Sequence, residues 1–241
     1  MRLSNKFYMA RSHGKFRKRF NMHRSKYTMN DSPVAISDYM GGKMQNIPSI
    51  STSCEENPIC IARMQAGDSI CAHCFADVTV RRYTELGKNC AANYDLLTNE
   101  VLPLTALPIF KPGVEIVRIE SFGDVANVTQ AINYINIIKA NPNVMFAWWS
   151  KNAFIINEAF EQVGKPRNVV MVESSERLNV QKEISQNFDK VFTVYDEAHI
   201  VDQKVNINCG ARSCDTCRNC YSKRTGMVVN EKLKGAKAAW L

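Results

Sequence analysis

Four short runs of β-branched and aromatic residues punctuate the second half of the chain. They are Val114-Glu-Ile-Val-Arg-Ile-Glu120, Val144-Met-Phe-Ala-Trp-Trp149, Val169-Val-Met-Val-Glu173 and Val191-Phe-Thr-Val-Tyr195, and each reads as a strand. Between them the apolar positions recur at helical spacing, over roughly 125–140, 152–163 and 177–187. Asn141-Pro-Asn143 and Gly164-Lys-Pro166 mark helix ends. Strand and helix alternating every 22–30 residues or so is the βαβ pattern of a parallel sheet. The pattern therefore predicts an α/β fold: βα repeats forming an open doubly wound sheet or a partial (β/α) barrel. There are too few strands for a closed eight-fold barrel.

Upstream the pattern is looser. Residues 78–100 read as helix, with Val78, Tyr83, Leu86, Tyr94 and Leu97 on an apolar side. Residues 54–76 read as irregular, with a short helix around Ile61–Gln65. Residues 32–53 mix turn residues with short apolar runs. Gly41-Gly42-Lys43 is not a phosphate loop, because it lacks both the earlier glycine and a Ser/Thr after the lysine. Three segments follow: a basic arm over 1–45, an α/β domain over 46–225, and a basic C-terminal segment over 226–241 whose Lys232–Lys237 stretch reads as a solvated helix face.

Composition adds limits. With 241 residues, 45% of them hydrophobic, the chain can bury a substantial core. Its most apolar window, Val101–Phe110, is short and holds two prolines, so no membrane span is expected. The N-terminus lacks an apolar run after its basic residues, so the expected location is the cytoplasm. The net charge of +8 is concentrated at one end. Residues 1–31 carry Arg2, Lys6, Arg11, Lys15, Arg17, Lys18, Arg19, Arg24 and Lys26 against Asp31 alone, which leaves the remainder neutral. With Phe7, Tyr8, Phe16, Phe20 and Tyr27 interleaved, the arm suits either docking on the protein body or contact with nucleic acid.

The chemistry lies in the cysteines. Eight of nine fall into two groups: Cys54, Cys60, Cys71 and Cys74, then Cys209, Cys214, Cys217 and Cys220. In a reducing compartment, thiolates this dense point to metal rather than to disulfides. The second group reads C-x4-C-x2-C-x2-C, and two successive x2 gaps suit a [4Fe–4S] cluster better than zinc. Zinc remains the alternative, pairing Cys71-Ala-His-Cys74 with Cys217-Arg-Asn-Cys220. Eight ligands suit two clusters, or one cluster that draws on both groups. Such a centre implies a redox partner, which the sequence does not identify. Cys90 reads as a buried small residue, His73 as a poor ligand candidate, and His199 as a surface or satisfied residue.

Ligands of parallel α/β sheets gather at the carboxyl ends of strands. There the chain offers Arg118, Glu120 and Asp124, with Gly123 easing the turn and Lys151 as a cationic partner: a candidate pocket for a polar ligand. The same residues also suit structural roles, Asp124 and Asn152 as helix N-caps and Arg118–Glu120 as an internal ion pair.

Several of these motifs together resemble a phage-encoded family, the gene-product-eighty-eight-like proteins. They are Ile47-Pro48-Ser49, Ile70-Cys71-Ala-His-Cys74-Phe75-Ala76, Arg118-Ile-Glu-Ser-Phe-Gly-Asp124, and Cys209 through Tyr221. The resemblance covers most of residues 45–225. It implies a bacteriophage protein with an iron–sulfur cluster and a core similar to part of a radical-SAM barrel, and it places ligands first on Cys71, Cys74, Cys214, Cys217 and Cys220. The chain departs from radical-SAM enzymes in lacking any C-x3-C gap. An open iron for S-adenosylmethionine therefore requires three ligands converging from separate loops.

Overall fold

The four apolar runs become the middle of one sheet. A computed structural model of the chain describes residues 24–210 and 213–233. Its strands are β1 (Ser49–Ile50), β2 (Ile116–Ile119), β3 (Met145–Ser150), β4 (Val169–Ser174), β5 (Lys190–Tyr195) and β6 (Met227–Lys232). All neighbours pair in parallel, and the order in the sheet is the order in the chain. The helices are α1 (Pro58–Gln65), α2 (Phe75–Arg82), α3 (Thr84–Asn99), α4 (Val128–Ala140), α5 (Ala153–Val163), α6 (Glu197–Asp202) and the single turn α7 (Cys214–Cys217).

The period-two alternation of the strands divides the core. Val117, Ile119, Phe146, Trp148, Val169 and Met171 face α3, α4 and α5 in the larger cluster. There Trp148 meets Tyr134 edge-on at 5.3 Å and Phe160 at 6.5 Å. Each such large apolar side chain contributes about 1.5–3 kcal/mol on burial. Ile116, Ala147, Trp149, Val170 and Val172 face the other way, against Ile47 and Tyr221 rather than against helices. Sequential parallel strands with their connecting helices on one side are the layout of a partial (β/α) barrel, open and not closed. The α/β expectation holds.

Local expectations fare unevenly. The strands, α4 and α5 lie within a few residues of their expected places, and 78–100 resolves into α2 and α3. The helix expected over 177–187 is absent. Asn179 and Asn187 there adopt left-handed φ values of 64° and 67°, and the buried Glu173 carboxylate pulls Lys182 Nζ (2.7 Å) and the Ser185 amide (2.9 Å) onto itself. The segment is thus a loop tied across the end of β4. Within the C-terminal segment, Met227–Lys232 is a strand; the Lys232–Lys237 stretch expected as a helix face lies, beyond residue 233, outside the described residues. Residues 24–45 pack on the body of the protein. Val34 and Ala35 are buried, Asn93 of α3 binds both backbone groups of Ala35 at 2.8 Å, and Ser37 bridges Ser49 of β1. Of the nine basic residues counted over 1–31, only Arg24 and Lys26 fall among the described ones. No described helix is long and apolar enough to cross a membrane.

Candidate functional site

The first cysteine group occupies the connection that follows β1, beside the carboxyl ends of β2 and β3. Asn57 starts α1: its Oδ1 accepts from the Ile59 amide (2.9 Å), and its Nδ2 donates to the Asp124 carbonyl (2.8 Å). Pro58 fills the first helical position, where no amide is needed. Cys60 and Arg63 then share a face of α1. Ser69 caps the 3-10 turn Ile70–His73 by accepting from the Cys71 amide (3.1 Å), and Cys74 closes that turn and opens α2. Cys54, Cys60 and Cys74 meet in one apolar cluster with Ala76, Val80, Cys90 and Phe122. Cys71 lies in the field of Cys60, and His73 is exposed.

Electrostatics distinguish these thiols. Cys74 is lowered, first because the Cys54 thiol donates to its sulfur; burial opposes, and the amides of Asp77 and Ala76 and the charge of Lys151 add to the lowering. Cys54 is pushed up by the same contact and by burial. Burial, followed by Asp124, pushes Cys60 up, while Lys151 opposes. Cys90 is held at about 12 by burial, as befits a small core residue.

Two carboxylates brace this region. Glu120 has a left-handed φ of 58°, which turns its side chain from the strand's expected face toward α4. It accepts from the Thr52 amide (3.1 Å), Thr52 Oγ1 (2.7 Å), Gln130 Nε2 (2.9 Å) and Tyr134 Oη (2.5 Å). Burial still raises it to about 7 from an ordinary 4.5, against the Tyr134 and Thr52 donors and with the charge of Asp124 adding to the rise. The folded chain thus holds this proton more tightly than the unfolded chain. The associated stability is complete below about pH 4.5 and is lost as pH rises through about 7. Unfolding titrations across that window are expected to show this fall in the wild type and to lose it in Glu120→Gln; equal pH profiles would contradict the assignment. Asp124 accepts from Ser150 Oγ (2.6 Å) and the Val125 and Lys151 amides (2.8 and 3.0 Å), and faces Arg63 Nη1 at 3.5 Å.

The second group lies on the other face of the sheet. Cys214 and Cys217 bound the single turn α7, and Arg218 reverses the chain in the left-handed region at φ 51°. Its guanidinium clasps Asp215 at 3.1 Å and also Glu115. Cys214 and Cys220 pack beside Trp149 and Tyr221, which meet edge-on at 6.0 Å. Cys209 is carried by a segment that covers the outer edge of β6, its amide bonding the Asn230 carbonyl at 3.0 Å. Lys43 Nζ reaches the Cys209 carbonyl (3.0 Å), its sulfur (3.8 Å) and Glu231 (3.0 Å). Arg118 stacks 3.6 Å over Trp149 and faces Cys214 and Cys220. Burial raises Cys214 and takes Cys220 to about 12, with Arg118 opposing in both cases.

The anticipated pocket is therefore divided. Glu120, Asp124 and Lys151 lie with the first cysteine group, whereas Arg118 belongs to the second. Arg118 and Glu120 leave the same strand on opposite sides and do not pair. Asn127, not Asp124, caps α4 by accepting from the Gln130 amide (2.9 Å). Asn152 stands at the start of α5 but makes no capping bond, donating instead to the Val125 carbonyl.

All nine cysteines are free thiols. Among the described residues, no group of three or more His, Cys, Asp or Glu side chains is set up to hold a metal ion. The two quartets are neighbourhoods of thiols, not finished coordination shells. Beside the second group, the Arg118 Nε–H is buried without an acceptor.

The sequence profile of the gene product 88 family matches residues 15–239. The chain belongs to that family. No curated protein and no solved structure matches it. The gene product 88 match spans both cysteine groups and the whole sheet, in keeping with the phage-like family inferred from the motifs; it carries no reaction and no cofactor. Within this gene product 88 chain, sequence reasoning missed Arg63, Lys43 and Lys190. Arg63 was detectable three residues after Cys60 on one helix. Lys190, in β5, donates to the Asn219 carbonyl (2.6 Å) and Ser222 Oγ (3.1 Å) on either side of Cys220; it and Lys43 reach the second group only through the tertiary fold, and no local signal marks them.

Proposed function

We propose that this chain is a phage redox protein holding one [4Fe–4S] cluster at Cys54, Cys60, Cys71 and Cys74 and another at Cys209, Cys214, Cys217 and Cys220. The observation that carries this reading is the separation of the eight thiols into two groups, each able to supply the four thiolates of one cube. Bound there, a cluster supplies reversible one-electron chemistry. The cations beside the sulfurs offset the charge of gathered thiolates, Lys151 at the first group and Arg118 and Lys43 at the second. Zinc is disfavoured by the same division, because the C-x2-C pairs it would join, Cys71–Cys74 and Cys217–Cys220, lie in different groups.

Anaerobic reconstitution tests this. The loaded protein is expected to be brown, with broad visible absorption that bleaches on reduction by dithionite. A colourless protein holding stoichiometric zinc and no sulfide would remove the proposal.

One observation favours a second reading, a radical-SAM-like enzyme. The apolar cluster of the first group takes in Cys54, Cys60 and Cys74 and leaves Cys71 outside, so three thiolates there would leave one iron open at the carboxyl edge of the sheet. S-adenosylmethionine should then alter the EPR signal of the reduced protein and be cleaved. An unchanged signal with intact S-adenosylmethionine would dismiss this reading.

A further inference from the structure

Two hydrogen-bond donors converge on one weak acceptor beside Trp149. Arg118 Nη1 reaches Met44 Sδ at 3.9 Å, and Tyr221 Oη reaches the same sulfur at 3.7 Å. The hydroxyl and the guanidinium are themselves neighbours, so they form one donor patch. A thioether sulfur accepts hydrogen bonds only weakly. The Nε–H of the same guanidinium is buried with no acceptor, although buried polar groups are nearly always bonded.

Arg118 also lacks a counter-charge. It forms no ion pair among the described residues, whereas Lys43, on the same turn as Met44, is balanced by Glu231 at 3.0 Å. The Arg118 charge rests instead on the Trp149 ring, 3.6 Å away. Trp149 and Tyr221 are both buried, and in such a poorly solvated setting an unpaired charge is costly. Stacking fixes the plane of the guanidinium and leaves its edges for acceptors lying in that plane. The strand holds the residue in mid-sheet, between Ser49 of β1 and Ala147 of β3. Its cover is less firmly held. Met44 ends the 3-10 turn Gly42–Met44, which buries none of its residues, and the space beside Gly41 and Gly42 is open.

We propose that Arg118 and Tyr221 form a binding site for an oxyanion, the carboxylate or phosphate group of a small ligand, which displaces the Met44 sulfur and takes over its two donors. Bonds from a guanidinium to charged oxygen are shorter and stronger than those to neutral acceptors, so the exchange favours the ligand. Trp149 is the floor of the site and the Gly42–Met44 turn its movable wall. No cysteine takes part, and the site does not rest on the iron–sulfur reading.

Titration of the purified full-length protein with inorganic phosphate and, separately, with acetate tests this. Sodium chloride keeps the ionic strength constant, so that general screening does not change. The readouts are the heat of binding and the proton–nitrogen NMR signal of the Arg118 Nε–H, identified by its loss in Arg118→Met. Saturable binding of a single anion per chain, with a shift of that signal, is expected. Arg118→Met should weaken binding about tenfold or more, and Tyr221→Phe, which keeps the ring against Trp149, about threefold. Met44→Ala should tighten it, because no sulfur then has to be displaced. Tighter binding of phosphate assigns a phosphate-bearing ligand, and tighter binding of acetate a carboxylate. If circular dichroism shows Arg118→Met to be unfolded, Tyr221→Phe and Met44→Ala carry the test, by moving the affinity in opposite directions. No saturable binding of either ion, or affinities that these substitutions leave unchanged, would overturn the site.

Discussion

Serine at both Cys217 and Cys220 is expected to remove about half of the iron and sulfide from the reconstituted chain, leaving the other half spectroscopically intact. The expectation follows from where the thiols lie. Cys220 stands in the field of Cys209 and Cys214, whereas Cys54 meets Cys74 and Cys60. The first set lies beside the carboxyl ends of β2 and β3, with Phe122, and the second on the face of Trp149. The complementary pair, Cys60→Ser with Cys74→Ser, should strip the opposite half. Its measurement is iron and acid-labile sulfide per chain, with circular dichroism to show that each variant is folded. Loss of all iron from either variant would mean that both groups feed a single centre.

Alanine at Gly123 is expected to be among the most damaging single substitutions outside the cysteines. A Cβ there would stand 2.5 Å from the Thr52 carbonyl, 2.8 Å from Thr52 Oγ1 and 2.9 Å from a Glu120 carboxylate oxygen. The first contact is with backbone and cannot be relieved by a rotamer change. Thr52 anchors the loop leading to Cys54, so the displacement reaches the first cysteine group. A cost of about 3 kcal/mol is expected from overpacking of this kind, roughly 6–12 °C in Tm for a chain of this size. Gly67, with open space around its Cα, is the control, and Gly67→Ala should stay within about 0.5 kcal/mol. Thermal unfolding of the two variants side by side checks this; similar melting points would show that the Thr52–Glu120 contact yields freely.

The central strands were legible because β3 and β4 are buried on both faces, so their apolar runs are nearly unbroken. The two outer strands were not. β1 is two residues long, and β6, at the sheet edge, carries Asn230, Glu231 and Lys232, which no apolar pattern reveals. The loop over 177–187 has helical spacing, but Glu173 offers its polar groups a better partner than solvent.

At the site, the division of eight cysteines into two groups was legible from spacing, and the structure keeps neighbours of each group together: Cys54, Cys60 and Cys74 in one cluster, Cys214 and Cys220 in another. The placement of Arg118 and Glu120 was not. Strand alternation puts residues two apart on one face, and only the left-handed backbone at Glu120 reverses it. Arg118 is therefore free to serve the second cysteine group while Glu120 is locked against Tyr134.

The most direct measurement is iron and sulfide per chain in protein purified and reconstituted without oxygen, with Mössbauer spectroscopy to identify the iron. About eight of each, as diamagnetic cubane iron in the oxidised state, is the predicted result. Zinc without sulfide, or thiols that all remain open to alkylation after reconstitution, would contradict the account.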